Sequence, residues 1–246
     1  MTHLYLIRHG EAVVNVEPIV GGMQGDTGLT PRGVAQAERL RDRLAATHEI
    51  NADVLIASTL PRARQTAEII APALELQPLF DDEVQEMRVG EADGLSLQEM
   101  WDRFGIPDLR NDPFRRIAPG GESWGQFMLR VGNALNRITR EHQGKKIVIV
   151  CHGGVIDGAF VYFFGMHTLV LPPVEFLTHN TSITHWAQHS RNGQTFWRLV
   201  SYNDTTHLRD IGARESIRWE EITAEPAAGA DRSAVPLPTE EDREEE

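Results

Sequence analysis

The stretch around which this chain is organised is Leu4-Tyr5-Leu6-Ile7-Arg8-His9-Gly10-Glu11, where an apolar run stops at a cation, an imidazole and a glycine. This pattern is typical of a buried strand that ends at a reactive site, because ligands of open α/β sheets bind at the carboxyl ends of strands. The stretch Ile147-Val148-Ile149-Val150 ends in the same way, at Cys151-His152-Gly153. If both strands are central and parallel, His9 and His152 emerge at the same edge of the sheet.

The rest of the chain alternates strand patterns with helix patterns, which predicts an α/β fold with a largely parallel sheet and helices on both of its faces. Helices are predicted at Pro31 (with Thr30 as N-cap), over 61–70, over Leu97–Phe104, after Ser123 and after Gly153. Further strands are predicted over 53–57, 74–80, 182–187 and 196–202. Asn192-Gly193 lies between the last two strands and indicates a hairpin.

Two of the helices have a predicted buried face. In the first helix it consists of Val34, Ala37, Leu40 and Leu44, and in the fourth of Phe127, Val131, Leu135 and Ile138. We assign one domain to residues 1–221, with a helical insert at about 95–121. Residues 222–246 contain eight acidic and two basic residues, half of the net charge of -12, and we expect them to be a disordered acidic tail.

Composition restricts the classes of function. The body of the chain is acidic, which argues against nucleic-acid binding because that function needs a basic surface. The single cysteine, Cys151, excludes an intrachain disulfide, so we expect the cytoplasm as the compartment. The longest apolar stretch, near Val155 to Phe164, is interrupted by Asp157 and is too short to cross a bilayer, and no signal peptide is visible. We therefore expect no nucleic-acid or membrane partner.

Paired histidines at a sheet edge have three interpretations: one is a covalent nucleophile, the pair binds a metal, or both are packing residues. Arg8 and Arg62 favour a covalent nucleophile that acts on a phosphoryl group. One guanidinium can bind two phosphate oxygens at once, whereas it repels a divalent cation. Gly10 and Gly153 lack a Cβ and would let a ligand approach the backbone. Cys151 is not favoured as a nucleophile, since the position six residues later, where cysteine phosphatases have an arginine, is Asp157.

These residues resemble those of the histidine phosphatase superfamily, the phosphoglycerate-mutase-like enzymes, over nearly all of Thr2–Leu208. Arg8-His9-Gly10-Glu11 is similar to the family signature, and Asn15 falls where that signature continues. Further blocks follow in family order: Gln24-Gly25 with Leu29-Thr30 and Gly33; Ser58, Arg62-Ala63 and Thr66-Ala67; Glu86 with Gly90 and Gly94; Gly121-Glu122-Ser123; and His152-Gly153.

The resemblance implies a three-layer α/β/α fold of the phosphoglycerate-mutase type and covalent phosphoryl transfer. His9 would attack phosphorus and become a phosphohistidine. Arg8, Arg62, His152 and Asn15 would hold the phosphoryl oxygens, and Glu86 would donate the proton to the leaving oxygen. Further contacts to phosphate or substrate are expected from Gln24, Gly25, Glu122 and Gly153. The scheme requires neither a metal nor a cofactor.

Departures from the family pattern concern the substrate more than the chemistry. Ala12 replaces a frequent Ser or Thr, Val14 a frequent Trp, and Ala92-Asp93 a frequent Trp-Glu. Glu83, Glu91 and Asp93 remain alternatives to Glu86 as the acid.

We expect a phosphomonoesterase acting on a phosphorylated small molecule. The alternatives are a mutase-type phosphoryl transferase, or a non-catalytic binding or regulatory member of the family. Arg110, Arg115 and Arg116 do not reproduce the arginine arrangement that true mutases have in the insert. Asn15 and the long insert do not suit a phosphatase of phosphohistidine proteins. The sequence leaves a homodimer open.

Overall fold

A computed structural model of the chain describes residues 1–171 and 174–211. They form a six-stranded sheet in the order β3-β2-β4-β1-β5-β6. The strands are β1 His3–Arg8, β2 Val54–Ser58, β3 Leu79–Asp81, β4 Lys146–Cys151, β5 Ile183–Arg191 and β6 Gln194–Asp204. The helices are α1 Pro31–Thr47, α2 Pro61–Leu74, α3 Leu97–Phe104, α4 Trp124–Glu141 and α5 Gly153–Phe163.

The predicted three-layer arrangement is confirmed by the alternation of side chains along β1. Leu4 and Leu6 pack in one core cluster with the buried faces of α4 and α5. Tyr5 and Ile7 pack in a second cluster with those of α1 and α2. Because successive residues of a strand point to opposite faces, one apolar strand supports two helical layers.

The strand order brings the two histidine segments together at the centre of the sheet. β1 pairs with β4 in parallel, with Arg8 opposite Cys151, and the four strands β1 to β4 are mutually parallel as predicted. On its other side β1 pairs antiparallel with β5, which forms a hairpin with β6. Parallel pairing in this register places His9 and His152 one residue beyond neighbouring strand ends.

Helix starts follow the predicted capping chemistry. The Thr30 side chain accepts a hydrogen bond from Gly33 N at the start of α1. Ser123 and Gln126 form a reciprocal capping box at the start of α4. The predicted stripe of α4 is buried throughout, at Phe127, Val131, Leu135 and Ile138.

Two local predictions were wrong. Val34 is 37% exposed, and the buried face of α1 instead includes Gly33 and Gln36, whose side-chain oxygen accepts a hydrogen bond from Glu11 N. The stretch 74–80 is not one strand, because α2 continues through Pro72 to Leu74 and β3 begins only at Leu79. In both places a tertiary contact or a continuing buried helix face outweighs the local pattern.

The predicted insert has its helix at Leu97–Phe104, as expected, followed by irregular chain to Gly121. Neither the predicted tail at 222–246 nor the domain end at 221 falls within the described residues. Across 1–171 and 174–211, none of the helices has the length and apolar character needed to cross a membrane.

Candidate active site

His9 lies directly after β1 and is only 3% exposed. Its ring Nδ1 lies 2.7 Å from the Gly10 carbonyl oxygen, and its Nε2 lies 3.1 Å from Arg62 Nε. A carbonyl oxygen can only accept a hydrogen bond and a guanidinium can only donate one. These contacts therefore assign the proton to Nδ1 and the lone pair to Nε2, the nitrogen that can act as a nucleophile.

The environment of His9 favours its neutral form. Burial lowers the pKa of the imidazole well below its usual value, and the charges of Arg62 and Arg8 lower it further. The hydrogen bond to Gly10 acts in the opposite direction but is the smallest cause. At neutral pH the lone pair on Nε2 is thus unprotonated, which a nitrogen nucleophile requires.

Arg62 is the second residue of α2 and is held in place by a buried carboxylate. Its Nη1 donates to Asp26 Oδ2 at 2.8 Å and to the Gly21 carbonyl at 3.2 Å, and its backbone N donates to the same Asp26 oxygen. Both side chains of this ion pair are at most 5% exposed. Asp26 therefore fixes the guanidinium so that Nε points at His9. Its role was not predicted from the sequence.

His152 is the N-cap residue of α5 and is fully buried. Its ring centroid lies 5.1 Å from that of His9, and its Nε2 lies 2.8 Å from Ser58 Oγ. Among the described residues, its Nδ1 has no hydrogen-bond partner. Burial lowers the pKa of His152 well below its usual value, and the nearby Arg62, His9 and Arg8 lower it further. A second neutral imidazole thus lies beside the first.

Arg8 ends β1 and contributes a second guanidinium to the same edge. Its Nη1 donates to the Thr178 carbonyl. A Cβ built on Gly153, the first residue of α5, would lie 3.9 Å from Arg8 Nε, so the helix start faces this side chain. Burial lowers the pKa of Arg8, and the carboxylate of Glu86 opposes that shift. Arg8 therefore contributes positive charge near both the start of α5 and Glu86.

Glu86 lies in the loop that follows β3, and its side chain links this loop to α5 by hydrogen bonds. It accepts hydrogen bonds from Met87 N at 3.0 Å and from Gly154 N at 3.1 Å. A Cβ on Gly154 would overlap Glu86 Oε1, so this close approach depends on glycine. These contacts hold the Glu86 side chain at the start of α5, the helix that follows His152. We call this part of the site its α5 end.

The other candidate carboxylates have different surroundings. Glu83 forms an ion pair with Arg88 at 3.4 Å. Asp93 accepts hydrogen bonds from the backbone N atoms of Gly22, Gln24 and Gly25, and Glu91 is exposed. Of the four carboxylates, Glu86 is the one hydrogen-bonded to the start of α5.

The predicted substrate-binding residues fall into two groups. Gly153 lies at the site, where it faces Arg8. Asn15 lies in the segment that follows the His9 strand, and its Oδ1 accepts a hydrogen bond from Ala12 N at 3.0 Å. Gln24 and Gly25 lie in the loop that Asp93 organises, with the Gln24 side chain exposed. Any contact of these residues with a substrate remains a prediction.

Glu122 is engaged with the protein itself. Its two oxygens accept from Arg130 Nε and Nη2 at 2.7 and 2.6 Å, and Oε2 also accepts from Arg88 N. Arg130 in turn donates to the backbone carbonyls of Glu83, Gln85 and Glu86. This pair positions the loop that bears Glu86. Arg130 had no sequence signal beyond its place on α4.

Two further polar residues support the His9 segment. Gly10 N donates to Thr66 Oγ1 at 3.0 Å, and Asn180 Nδ2 donates to the His9 carbonyl at 3.0 Å. Thr66 was noted only as part of a sequence block, and Asn180 was missed. Its position just before the strand predicted over 182–187 is the signal in the sequence that could have drawn attention to it. Its burial, which explains why its amide needs a partner, is visible only in the structure.

The assembled site has two neutral imidazoles, two guanidiniums and one carboxylate at the carboxyl edge of the parallel strands. The guanidinium charges suit a tetrahedral oxyanion such as a phosphoryl group. The described residues contain no group of three or more His, Cys, Asp or Glu side chains placed to hold a metal ion. The chemistry that this set can perform is nucleophilic attack by an imidazole on a bound phosphoryl group.

Known proteins with similar sequences and folds include phosphatases and a mutase-like protein. A family model described as histidine phosphatase superfamily (branch 1) matches residues 4–205. The chain is 29% identical over 225 residues to phosphoglycerate mutase-like protein 4 of Arabidopsis thaliana, covering 87% of this chain and 90% of that protein. It is 27% identical over 218 residues to the metal-independent phosphoserine phosphatase of the same plant, covering 86% and 85%.

A solved structure agrees with the sequence relatives. A mutant of phosphoserine phosphatase from Entamoeba histolytica, in complex with phosphoserine, matches 85% of this chain and 100% of its own, with 26% identity and a TM-score of 0.65. The fold described above is thus that of a group of proteins that includes phosphatases.

Proposed function

This chain belongs to branch 1 of the histidine phosphatase superfamily, and on that premise we propose that it is a metal-independent phosphomonoesterase. Its substrate would be a phosphorylated small molecule, and His9 would be the covalent nucleophile. One observation carries the proposal: His9 Nδ1 faces the Gly10 carbonyl, and Nε2 faces Arg62. That arrangement directs a lone pair at the place where a guanidinium can bind phosphate oxygens.

In the first half-reaction, the phosphoryl oxygens would replace His9 as the partner of Arg62 and would also contact Arg8. The lone pair of Nε2 attacks phosphorus and forms the P–N bond as the bond to the leaving oxygen breaks. Glu86 must be protonated when the substrate is bound; it gives this proton to that oxygen and becomes a carboxylate. The imidazole gains positive charge, which the Gly10 carbonyl stabilises through Nδ1–H.

In the second half-reaction a water attacks the phosphohistidine. The Glu86 carboxylate takes a proton from this water as its oxygen bonds to phosphorus. The P–N bond breaks, and its electron pair returns to Nε2. Inorganic phosphate leaves, and both Glu86 and His9 regain their starting protonation states.

Hydrolysis is favoured over phosphoryl transfer between two hydroxyls by the contacts of the insert arginines. Arg115 donates to the Phe104 and Ile106 carbonyls at 2.7 and 3.1 Å, so its guanidinium stabilises the turn after α3. Arg110 and Arg116 are exposed. None of the three has a contact with the site residues described above that would support a second phosphate.

The first experiment measures hydrolysis of p-nitrophenyl phosphate with and without a metal chelator, for wild type and for His9→Ala. We expect turnover that the chelator leaves unchanged and that His9→Ala abolishes. Full activity in the variant, or loss on chelation, would contradict the proposal. A wild type that turns over neither this ester nor phosphoserine would favour the non-catalytic alternative.

The mutase alternative has its own test. We expect no transfer of phosphate between positions of 3-phosphoglycerate when a bisphosphoglycerate primer is present. A transfer rate that exceeds the rate of phosphate release would identify a mutase. Phosphoserine is the first natural ester to assay, because it is the compound named for two of the similar proteins.

A further inference from the structure

Asp157 is an acidic residue that no part of the proposed mechanism uses. It lies on α5 one turn after Gly153 and therefore on the same face of the helix as the residues at the site. Side chains of a helix lean toward its N-terminus. At the N-terminus of α5, His152 is the N-cap residue and Glu86 accepts a hydrogen bond from Gly154 N. Asp157 Oδ1 is buried and has no hydrogen-bond partner within 1–171 and 174–211.

Asp157 lies among charged and titratable groups from several other segments. The charged and titratable groups acting on it are Glu86 from the loop after β3, Arg8 from β1, Tyr202 from β6, and Glu175 from the chain before β5. Arg8 is the one cation of this set and is shared with Glu86. The other guanidinium, Arg62, is already paired with Asp26. Among the described groups that act on Asp157, carboxylates thus outnumber cations.

Asp157 ionises less readily than an ordinary aspartate. Burial is the largest cause, and together with the charges of Glu86 and Glu175 it raises the pKa of the carboxyl to about 7, although Arg8 opposes the shift. A cation placed beside Asp157 would reverse the Coulomb cost and hold the carboxylate ionised. A second anion placed there would increase that cost.

We propose that Asp157 recognises the charge of the leaving alcohol: its unpartnered oxygen binds an ammonium group there and disfavours a carboxylate. The substrate class is then the phosphate esters of amino alcohols. The leaving oxygen must lie at Glu86, and Asp157 shares with Glu86 both the start of α5 and the charge of Arg8. An amine two or three bonds from the leaving oxygen lies within a few ångströms of that oxygen. This inference rests on the proposed phosphatase function and assigns its specificity.

The test compares three esters of similar size: phosphoethanolamine with an ammonium, 2-hydroxyethyl phosphate with a hydroxyl, and phosphoglycolate with a carboxylate. For wild type we expect kcat/KM to fall in that order. For Asp157→Asn we expect the ratio of phosphoethanolamine to phosphoglycolate to fall by about tenfold or more, as for the loss of one charge-assisted hydrogen bond. Glu175→Gln, an exposed carboxylate in the same field, is the matched control and should change the ratio less than about threefold.

A pH series adds a readout that a purely structural role would not move. Between pH 6 and 8 the preference of wild type for the ammonium ester over the hydroxyl ester should rise as Asp157 loses its proton. The second ionisation of the phosphate differs between the esters, but it is the same for both forms of the enzyme. It therefore cancels when the wild-type ratio is divided by the ratio for Asp157→Asn, and that quotient should rise between pH 6 and 8.

Equal loss on all three esters, or an unchanged ratio, would overturn the inference. Binding of the same esters to His9→Ala, measured by calorimetry, gives the ranking independently of turnover. An enzyme that hydrolyses all three with no charge preference would refute only the role of Asp157. An inert wild type would refute the phosphatase proposal, and the binding ranking would still decide whether Asp157 recognises charge.

Discussion

His9 and His152 follow neighbouring parallel strands, are both buried, and lie with their rings 5.1 Å apart. Their partners differ. His9 lies between a carbonyl that can only accept and a guanidinium that can only donate, which fixes its tautomer. His152 faces Ser58, whose hydroxyl can do either. Two strand ends with the same sequence pattern thus differ in the state of their histidines. His9 has a fixed tautomer with its lone pair on Nε2, whereas His152 can take either tautomer and can therefore donate a hydrogen bond to a bound oxyanion.

The largest expected effect is a difference between matched variants of the two histidines. His9→Asn should lower kcat with p-nitrophenyl phosphate by about 10⁴-fold or more, since no other group in the site replaces the nucleophile. His152→Asn should cost on the order of 10²- to 10³-fold, the usual loss for one oxyanion-stabilising donor. If kcat in steady-state assays fell more in His152→Asn than in His9→Asn, His152 and not His9 would be the nucleophile.

Arg62→Lys tests the contact that distinguishes the His9 end. Lysine keeps the positive charge but cannot reproduce both the Nε contact to His9 and the Nη1 contact to Asp26. We expect kcat/KM to fall by about 10²-fold. Arg64→Lys is the matched control on the same helix, because Arg64 lies over the Phe80 ring away from the histidines, and it should leave activity unchanged. Similar losses in the two variants would contradict the account.

Glu86→Gln tests whether the α5 end of the site serves the leaving group. Loss of the proton donor should lower turnover of an alkyl phosphate by about 10²-fold, and that of p-nitrophenyl phosphate much less, because nitrophenolate leaves without protonation. Glu83→Gln in the same loop should show no dependence on the leaving group. If Glu86→Gln slows both esters equally, Glu86 is not the proton donor.

The smallest expected effect concerns a property that the two histidines share. Burial lowers the pKa of both, so below about pH 6.5 the unfolded chain binds protons that the folded chain does not. The free energy of unfolding should therefore fall as pH drops from 7.5 to 5.5, as denaturant titrations can measure. His9→Asn and His152→Asn should each reduce this slope. A slope unchanged in both variants would show that neither histidine contributes.

Much of the site could be predicted because its central residues lie next to strong local signals. His9 and His152 follow apolar runs, and Arg62 lies in the first turn of a helix that begins at a proline. Their supporting residues had no such signal. Asp26 lies in a glycine-rich loop, and its role depends on pairing with a residue 36 positions away. Such pairings are set by tertiary packing, which local sequence patterns do not report.

The same reasoning applies to the fold. The parallel sheet and the hairpin at Asn192-Gly193 follow from periodicity and turn chemistry, and both are present. Val34 was assigned to the core from helical spacing alone. The close packing of Gly33 against the Glu11 backbone turns that face of α1 toward the His9 segment and leaves Val34 partly exposed. A contact between segments thus decided the orientation of the helix.

The central claim, that His9 Nε2 becomes phosphorylated during turnover, has a direct test. Wild type is mixed with ³²P-labelled phosphoserine or an aryl phosphate, quenched in base within one turnover, digested and analysed by mass spectrometry. We predict an acid-labile, base-stable phosphate on the peptide that contains His9, and no such label in His9→Asn. Label on Cys151 or His152, or hydrolysis at full rate without any labelled peptide, would contradict the account.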